Sequence, residues 1–225
     1  EQYLKVVEAL SSKKIGLTRK EISQITKLPP NGSLTKILEN LVNSEFVRAY
    51  QFFGNKKQDT LYQLSDYFTL FYYKFLKNNS GKDERFWSNS IDNPSVRAWE
   101  GFTFEQVCKD YIQQIKKKLG ISGILTEVSS WFTKSTEEAD GAQIDMLIDR
   151  RDKVINICEM KFAANEYEID KDYEKKLINK IECFRKETGS KKALHLTMVT
   201  TYGVKQNSHS GRIQSEVTMD DLFEN

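Results

Sequence analysis

The sequence predicts an α/β chain in two folded parts, and three observations carry that reading. The first 65 residues hold three helical periods followed by two strand-like runs that flank Gly54-Asn55-Lys56-Lys57. Near the middle, the apolar runs around Asp145 and Glu159 flank the polar turn Asp149-Arg150-Arg151-Asp152-Lys153, which reads as an antiparallel hairpin. From Ser95 onward the order is helix, antiparallel strands, a long charged helix and a final strand, the pattern of a mixed α/β core.

In the first part, Tyr3, Leu4, Val6, Val7 and Leu10 recur at helical spacing up to the Ser11-Ser12-Lys13-Lys14 punctuation. Thr18-Arg19-Lys20-Glu21 is a capping box that opens a short helix through Ile22 and Ile25. After the turn Pro29-Pro30-Asn31-Gly32, a third helix starts at Gly32 or Ser33, with Leu34, Ile37, Leu38 and Leu41 on one face. Phe46–Tyr50 and Thr60–Leu64 then supply a two-stranded ribbon. Three helices and a ribbon in that order describe a winged helix-turn-helix domain over residues 1–65. In such modules the third helix enters the major groove and the ribbon tip meets the backbone. Asn31, Ser33, Thr35 and Lys36 at the helix start and Lys56 and Lys57 at the tip are therefore the candidate nucleic-acid contacts. A protein–protein spacer built on the same fold is the competing reading.

Residues 66–94 read as a helical connector. Asp66 begins an aromatic helix through Leu70, Phe71, Tyr72, Phe75 and Leu76, expected to be a buried connector. Asn78-Asn79-Ser80-Gly81-Lys82 is the linker signal, and a further helix is expected near Asp83–Ser90. In residues 95–225, a helix or helix pair runs from Ser95 to Lys118. One or two strands follow over Ile124–Thr133, then the hairpin, a charged helix over Lys171–Thr188, a strand over Lys192–Thr201 and a closing helix over Val217–Phe223.

The hairpin carries the chemistry. Thirteen residues separate Asp145 from Glu159, and Lys161 lies two beyond, on the strand face that Glu159 shares. Should Asp145 stand across from Glu159, two carboxylates and an ammonium converge at a strand end. That equipment suits a hydrated Mg²⁺ held by hard oxygen ligands and a water oriented against a phosphodiester. Both acids fall inside apolar runs, where a charge is costly without a partner or a metal. The bland alternative is a salt-bridge network of strand-end acids with Lys161 and Arg150.

Asp145…Glu159-x-Lys161, preceded by a helix carrying Glu105, resembles the PD-(D/E)XK nuclease core, with Ile144 where the motif has proline. Gly141–Asp145, Cys158–Phe162, Thr200-Thr201-Tyr202-Gly203 and Asp220–Phe223 further resemble the C-terminal half of prokaryotic AAA/STAND-type ATPases, in which a P-loop ATPase precedes a winged helix and a nuclease-like domain. The resemblance implies a restriction-endonuclease-like α/β core over residues 95–225, with Asp145, Glu159, Lys161 and Glu105 as catalytic residues. Asp145, Glu159 and the backbone oxygen of Met160 would ligate Mg²⁺ (or Mn²⁺), Lys161 would orient water or neutralise phosphate, and Glu105 would enlarge the acidic cluster or ligate a second metal. It also implies a Mg-dependent deoxyribonuclease, with DNA as partner and an ATPase domain outside this chain.

Composition sets outer bounds. Residues 1–98 carry fifteen Lys/Arg against ten Asp/Glu and residues 99–225 nineteen against twenty-two, so the overall +2 hides a basic first part. No run approaches the ~18 apolar residues of a membrane span, and the start does not read as a signal peptide. Cys108, Cys158 and Cys183 form no Cys/His cluster, which argues against disulfide or zinc frameworks and sets a cytoplasmic expectation. Lack of an initiator methionine sets the expectation of a piece of a longer protein. There is no Gly-x-x-x-x-Gly-Lys-Ser/Thr, so nucleotide hydrolysis is not expected of these residues. His195 and His209 are isolated in sequence. Lys175, Lys176 and Lys180 read as solvating lysines of a charged helix. Two functions stand side by side: the Mg-dependent nuclease, and a non-catalytic DNA-docking or interaction module of a partner ATPase. Paired cuts on duplex DNA would need two sites, which leaves room for a homo-oligomer.

Overall fold

A computed structural model describes residues 1–54, 60–77, 84–90, 93–135 and 141–224. The chain divides into two compact units, Glu1–Gln51 with Asn55–Asp92, and Asn93–Asn225 with Phe52–Gly54.

In the first unit, α1 (Gln2–Ser11), β1 (Leu17–Thr18), α2 (Arg19–Thr26), α3 (Gly32–Asn43), β2 (Val47–Tyr50) and β3 (Leu61–Leu64) precede α4 (Tyr67–Phe71), which runs on into a π-helical turn over Tyr72–Leu76. The expected capping box forms: the Thr18 amide donates to Glu21 Oε2 at 2.7 Å and the Glu21 amide to Thr18 Oγ1 at 3.3 Å. Val6, Leu10, Ile22, Leu34, Leu38, Val47 and Leu64 close one apolar core, the inward positions of the three helical periods. The ribbon gains a third strand, because β1 pairs antiparallel with β3 in the order β1-β3-β2. Gly16 makes that pairing feasible: its φ is +87°, and a Cβ there would stand 2.5 Å from the Tyr62 carbonyl oxygen.

The aromatic segment is less buried than its sequence suggests. Leu70 and Tyr73 pack against the first core, but of the rings in α4 and the π turn only Phe75 is buried, and Phe68 is 69% exposed. The helix expected near Asp83–Ser90 reduces, among the described residues, to a 3₁₀ turn over Ser88–Ser90. Ser and Asn are weak formers of helix interiors, and the segment offers no apolar period to offset that. The Asn78–Lys82 linker lies outside the described residues.

The second unit is a three-layer sandwich. A sheet of order β4-β5-β6-β7-β8 is built from β4 (Thr126–Thr133), β5 (Ala142–Arg150), β6 (Val154–Lys161), β7 (Ala193–Thr200) and β8 (Ser215–Thr218). The first three strands form an antiparallel meander, whereas β6–β7 and β7–β8 pair in parallel. Parallel pairing needs a crossover, supplied by α7 (Lys171–Thr188). α7 covers one face through Leu177 and Phe184 over Trp131, Leu147, Ile157 and Leu196. α5 (Pro94–Asp110), α6 (Ile112–Lys118) and α8 (Met219–Phe223) are the helices of a second core, in which Phe104, Cys108, Ile115 and Leu222 pack with Met146, Cys158 and Val199. With a helical layer on each face, β5 and β6 are buried almost throughout, which is why their sequences run nearly continuously apolar. β8 was not expected: Ser215–Thr218 extends alongside β7, and the closing helix begins only at Met219, capped by Thr218 and Asp221.

Candidate functional site

The functional side chains gather where β5 and β6 part. Their ladder ends with the pair Met146–Cys158, which leaves Asp145 and Glu159 as the next residues along each strand. Asp145 is 8% exposed and Glu159 is 1% exposed. α5, packed against β6, brings Glu105 into electrostatic range of both acids.

Glu159 is held on all sides. Its Oε1 accepts from the Tyr173 hydroxyl at 2.6 Å and from Lys161 Nζ at 2.8 Å, and its Oε2 accepts from Lys180 Nζ at 2.5 Å. Burial pushes this carboxyl up, but Lys180 and Lys161 more than offset it, so it is held below the ordinary value and stays charged. Lys161 follows the same logic: burial pulls its ammonium down, the Glu159 charge wins, and its pKa is raised. The Lys161 ammonium also lies 5.4 Å from the centre of the Tyr173 ring. Tyr173 itself is raised, by burial and by the Glu159 charge it donates to.

Asp145 stands differently. Its carboxylate accepts from the Met160 backbone amide and, at 3.4 Å, from Gln143 Nε2, and among the described residues no ammonium donates to it directly. Burial and the neighbouring Glu159 charge raise its pKa. Glu105 is pushed to about 7, first by burial and then by the Asp145 charge. The two carboxyls thus stand in the electrostatic condition that a bound divalent cation relieves.

Whether these residues fit a metal turns on Glu159. Asp145 and Glu105 are under-neutralised oxygen donors of the hard type that Mg²⁺ takes. Glu159 already gives both oxygens to donors, two of them ammonium groups. Among the described residues no group of three or more His, Cys, Asp or Glu is disposed to hold a metal ion. As the side chains stand, the set does not fit a cation: Asp145 and Glu105 supply hard oxygens, but both oxygens of Glu159 are taken by other donors. Met160 turns its side chain into the second core, while its amide serves Asp145.

Sequence reasoning missed Tyr173 and set Lys180 aside as a solvated lysine. Helical spacing held the signal: Tyr173, Leu177, Lys180 and Phe184 fall within three turns on the α7 face that meets the sheet. A lysine in register with inward apolar residues faces inward too. His209, isolated in sequence, pairs its Nδ1 with Glu174 Oε2 at 2.7 Å, outside this cluster.

In the first unit, Asn31 caps α3, its side-chain oxygen accepting from the Ser33 amide at 3.0 Å. Thr35 donates to the Asn31 carbonyl oxygen, and Ser33 and Lys36 are exposed on the first turn. Arg19 Nη2 donates to the Pro30 and Asn31 carbonyl oxygens at 2.8 and 2.9 Å, fixing the turn from which α3 departs. A cleft of about 610 Å³ opens beside it, lined by Arg19, Lys20, Gln24, Thr35 and Tyr62. Lys56 and Lys57 lie outside the described residues. No helix among the described residues is long and apolar enough to cross a membrane.

No curated protein and no solved structure matches the chain. Residues 67–178 match the model of the family DUF234, described as archaeal and bacterial proteins of unknown function, a span that takes in Glu105, Asp145, Glu159, Lys161 and Tyr173 and stops just short of Lys180.

Proposed function

We propose that this chain is a Mg²⁺-dependent nuclease of PD-(D/E)XK type that hydrolyses phosphodiesters of DNA, with the first unit serving as a winged-helix DNA-contacting module. The observation that carries it is Asp145: a buried carboxylate with no direct cation among the described residues, at the parting of two central strands, beside Glu105, Glu159 and Lys161. An acid left under-neutralised in a core is costly, and stability alone gives no reason to retain it. The order α5, three-strand meander, α7 and parallel β7 supports the nuclease-like core.

When bound, Mg²⁺ supplies Lewis acidity toward a phosphate oxygen and toward the attacking water. The chain's own residues do the rest. Asp145 and Glu105, with Glu159 once it gives up a donor, would hold the cation, and the Met160 amide fixes the Asp145 carboxylate. Lys161, anchored on Glu159, orients water or neutralises the phosphate. Asn31, Ser33, Thr35, Lys36, Lys56 and Lys57 are the proposed DNA contacts, and a P-loop ATPase domain outside these residues is the proposed partner.

Engagement of both Glu159 oxygens by Lys161, Tyr173 and Lys180 favours a second reading, a non-catalytic docking module of such an ATPase. Plasmid and oligonucleotide cleavage in Mg²⁺ or Mn²⁺ separates the two. Nicking by the wild-type chain that disappears in Asp145→Ala supports the nuclease. A wild-type chain that binds DNA and leaves it intact in both metals supports the docking module.

A further inference from the structure

In the first unit a half-buried cation lacks a counter-charge. Arg19, at the start of α2, engages two neutral acceptors through Nη2, the Pro30 and Asn31 carbonyl oxygens at 2.8 and 2.9 Å. Its Nε is buried without a hydrogen-bond partner, and among the described residues no carboxylate pairs with it. A guanidinium is weakly hydrated and tolerates such a place better than an ammonium does, but its charge is still unmet. The cleft of about 610 Å³ beside it has the matching chemistry. Arg19, Lys20, Gln24, Thr35, Thr60 and Tyr62 line it, and no acid among the described residues does. Lys20 and Gln24 are exposed. Burial pushes the Tyr62 hydroxyl up, so it stays protonated and able to donate. Glu39 reaches Tyr62 electrostatically from α3 without lining the cleft.

We propose that this cleft is a phosphate-binding site, in which Arg19 and Lys20 meet the charge and Gln24 and Tyr62 donate to the phosphate oxygens. Two cations and several neutral donors with no acid among them select an anion rich in acceptor oxygens, and hydrogen bonds from an arginine to phosphate are about twice as strong as neutral ones. Phosphate suits the lining better than a planar carboxylate, because its tetrahedral oxygens take donors from α2, α3 and β3 at once. The cleft is larger than a phosphate ion and leaves room for the group that carries it, a nucleic-acid strand or a small phosphate ester. Arg19 also links occupancy to the neighbouring helix: the guanidinium that would meet the anion holds the Pro30–Asn31 turn from which α3 departs. The inference is independent of the nuclease reading, and only its nucleic-acid arm rests on the first unit being a DNA-contacting module.

The test titrates inorganic phosphate into the whole chain at constant ionic strength, with the Arg19 Nε–Hε resonance as reporter, in the wild type, Lys20→Gln, Tyr62→Phe and Lys5→Gln. Lys20 is exposed, and Phe at position 62 keeps the ring that packs on the first core, so both cleft variants retain the fold. Lys5 is an exposed lysine of α1 outside the lining. The wild type is expected to show a saturable shift, weakened about fivefold in Lys20→Gln, by less in Tyr62→Phe and not at all in Lys5→Gln. A short DNA duplex then identifies the carrier. A duplex that displaces phosphate, or that alone moves the Arg19 signal in a Lys20-dependent way, assigns the site to a nucleic-acid backbone, whereas phosphate that stays bound in its presence assigns it to a small phosphate ester. A shift that is linear with both probes, or that Lys20→Gln and Lys5→Gln change equally, would mean bulk charge and overturn the proposal. So would saturation at Arg19 that neither cleft variant weakens. Duplex binding that leaves Arg19 unmoved, with no phosphate saturation, would sink the cleft and leave the DNA-contacting module standing.

Discussion

The two units bury polar groups in different ways. In the first, Gln63 is the buried polar residue among those described, and its donor and acceptor are both used: Nε2 donates to the Lys14 carbonyl oxygen at 2.6 Å and Oε1 accepts from Arg48 Nη1 at 3.3 Å. In the second, the buried set includes Asp145, Glu159 and Asp221. Asp221 has a structural explanation, since it pairs with Lys118 at 2.7 Å and caps α8 through Thr218. Asp145 has none. A fully satisfied polar group reports on folding, whereas a buried carboxyl short of a charged partner is a candidate for function.

Four changes sharpen that contrast, in order of expected effect. Phe184 is fully buried against Trp131, with ring centroids 5.3 Å apart, so Phe184→Ala should destabilise the second unit by about 4 kcal/mol in urea unfolding. Glu159→Ala leaves Lys161 and Lys180 facing each other without their anion. We expect a loss of about 3 kcal/mol, reduced from a fully buried pair because both lysines reach solvent. Loss as small as a surface substitution would show that the cluster is not buried in solution. Gly16→Ala combines a positive φ with a clash on the Tyr62 carbonyl and should cost about 2 kcal/mol, read as faster amide exchange in β1 and β3 with the second unit unaffected.

The smallest effect is in pH. A carboxyl whose folded pKa is raised to about 7 favours the folded state while protonated, so the Glu105 contribution is most favourable at low pH and falls away as pH rises through about 7. Glu159 acts oppositely: its lowered pKa gives stability at neutral pH that is lost on acidification. Urea midpoints of the wild type and Glu105→Gln should therefore diverge between pH 5 and pH 8, with the wild type losing more stability. Parallel profiles would place Glu105 in water, away from Asp145.

Much of the fold was legible because it rests on local periodicity and capping. Helical spacing of Val6, Leu10, Leu34 and Leu38 and the Thr18 capping box mark α1 to α3, and the polar turn after Ile148 marks the β5–β6 hairpin. What escaped was non-local. β1 has two residues and exists only because β3 pairs with it, and the last two residues of β8 read as the start of the closing helix until β7 offers an edge. In the cluster, Asp145 and Glu159 were legible as acids inside apolar runs and Lys161 by sharing the strand face of Glu159, whereas Glu105 was pointed to by the resemblance alone. Lys180 was not, because a lysine on a lysine-rich helix looks solvated until its register with Leu177 and Phe184 is traced.

The most direct measurement is calorimetric titration of Mn²⁺ into the whole chain at pH 8, where Glu105 is ionised, alongside Asp145→Asn. A cation site at the parting of β5 and β6 requires saturable binding by the wild type and none by the variant, with both unfolding at comparable urea concentrations. Equal binding by the two, or none by either, would mean that Asp145 is a buried acid the fold merely tolerates, and the nuclease reading would fall with it.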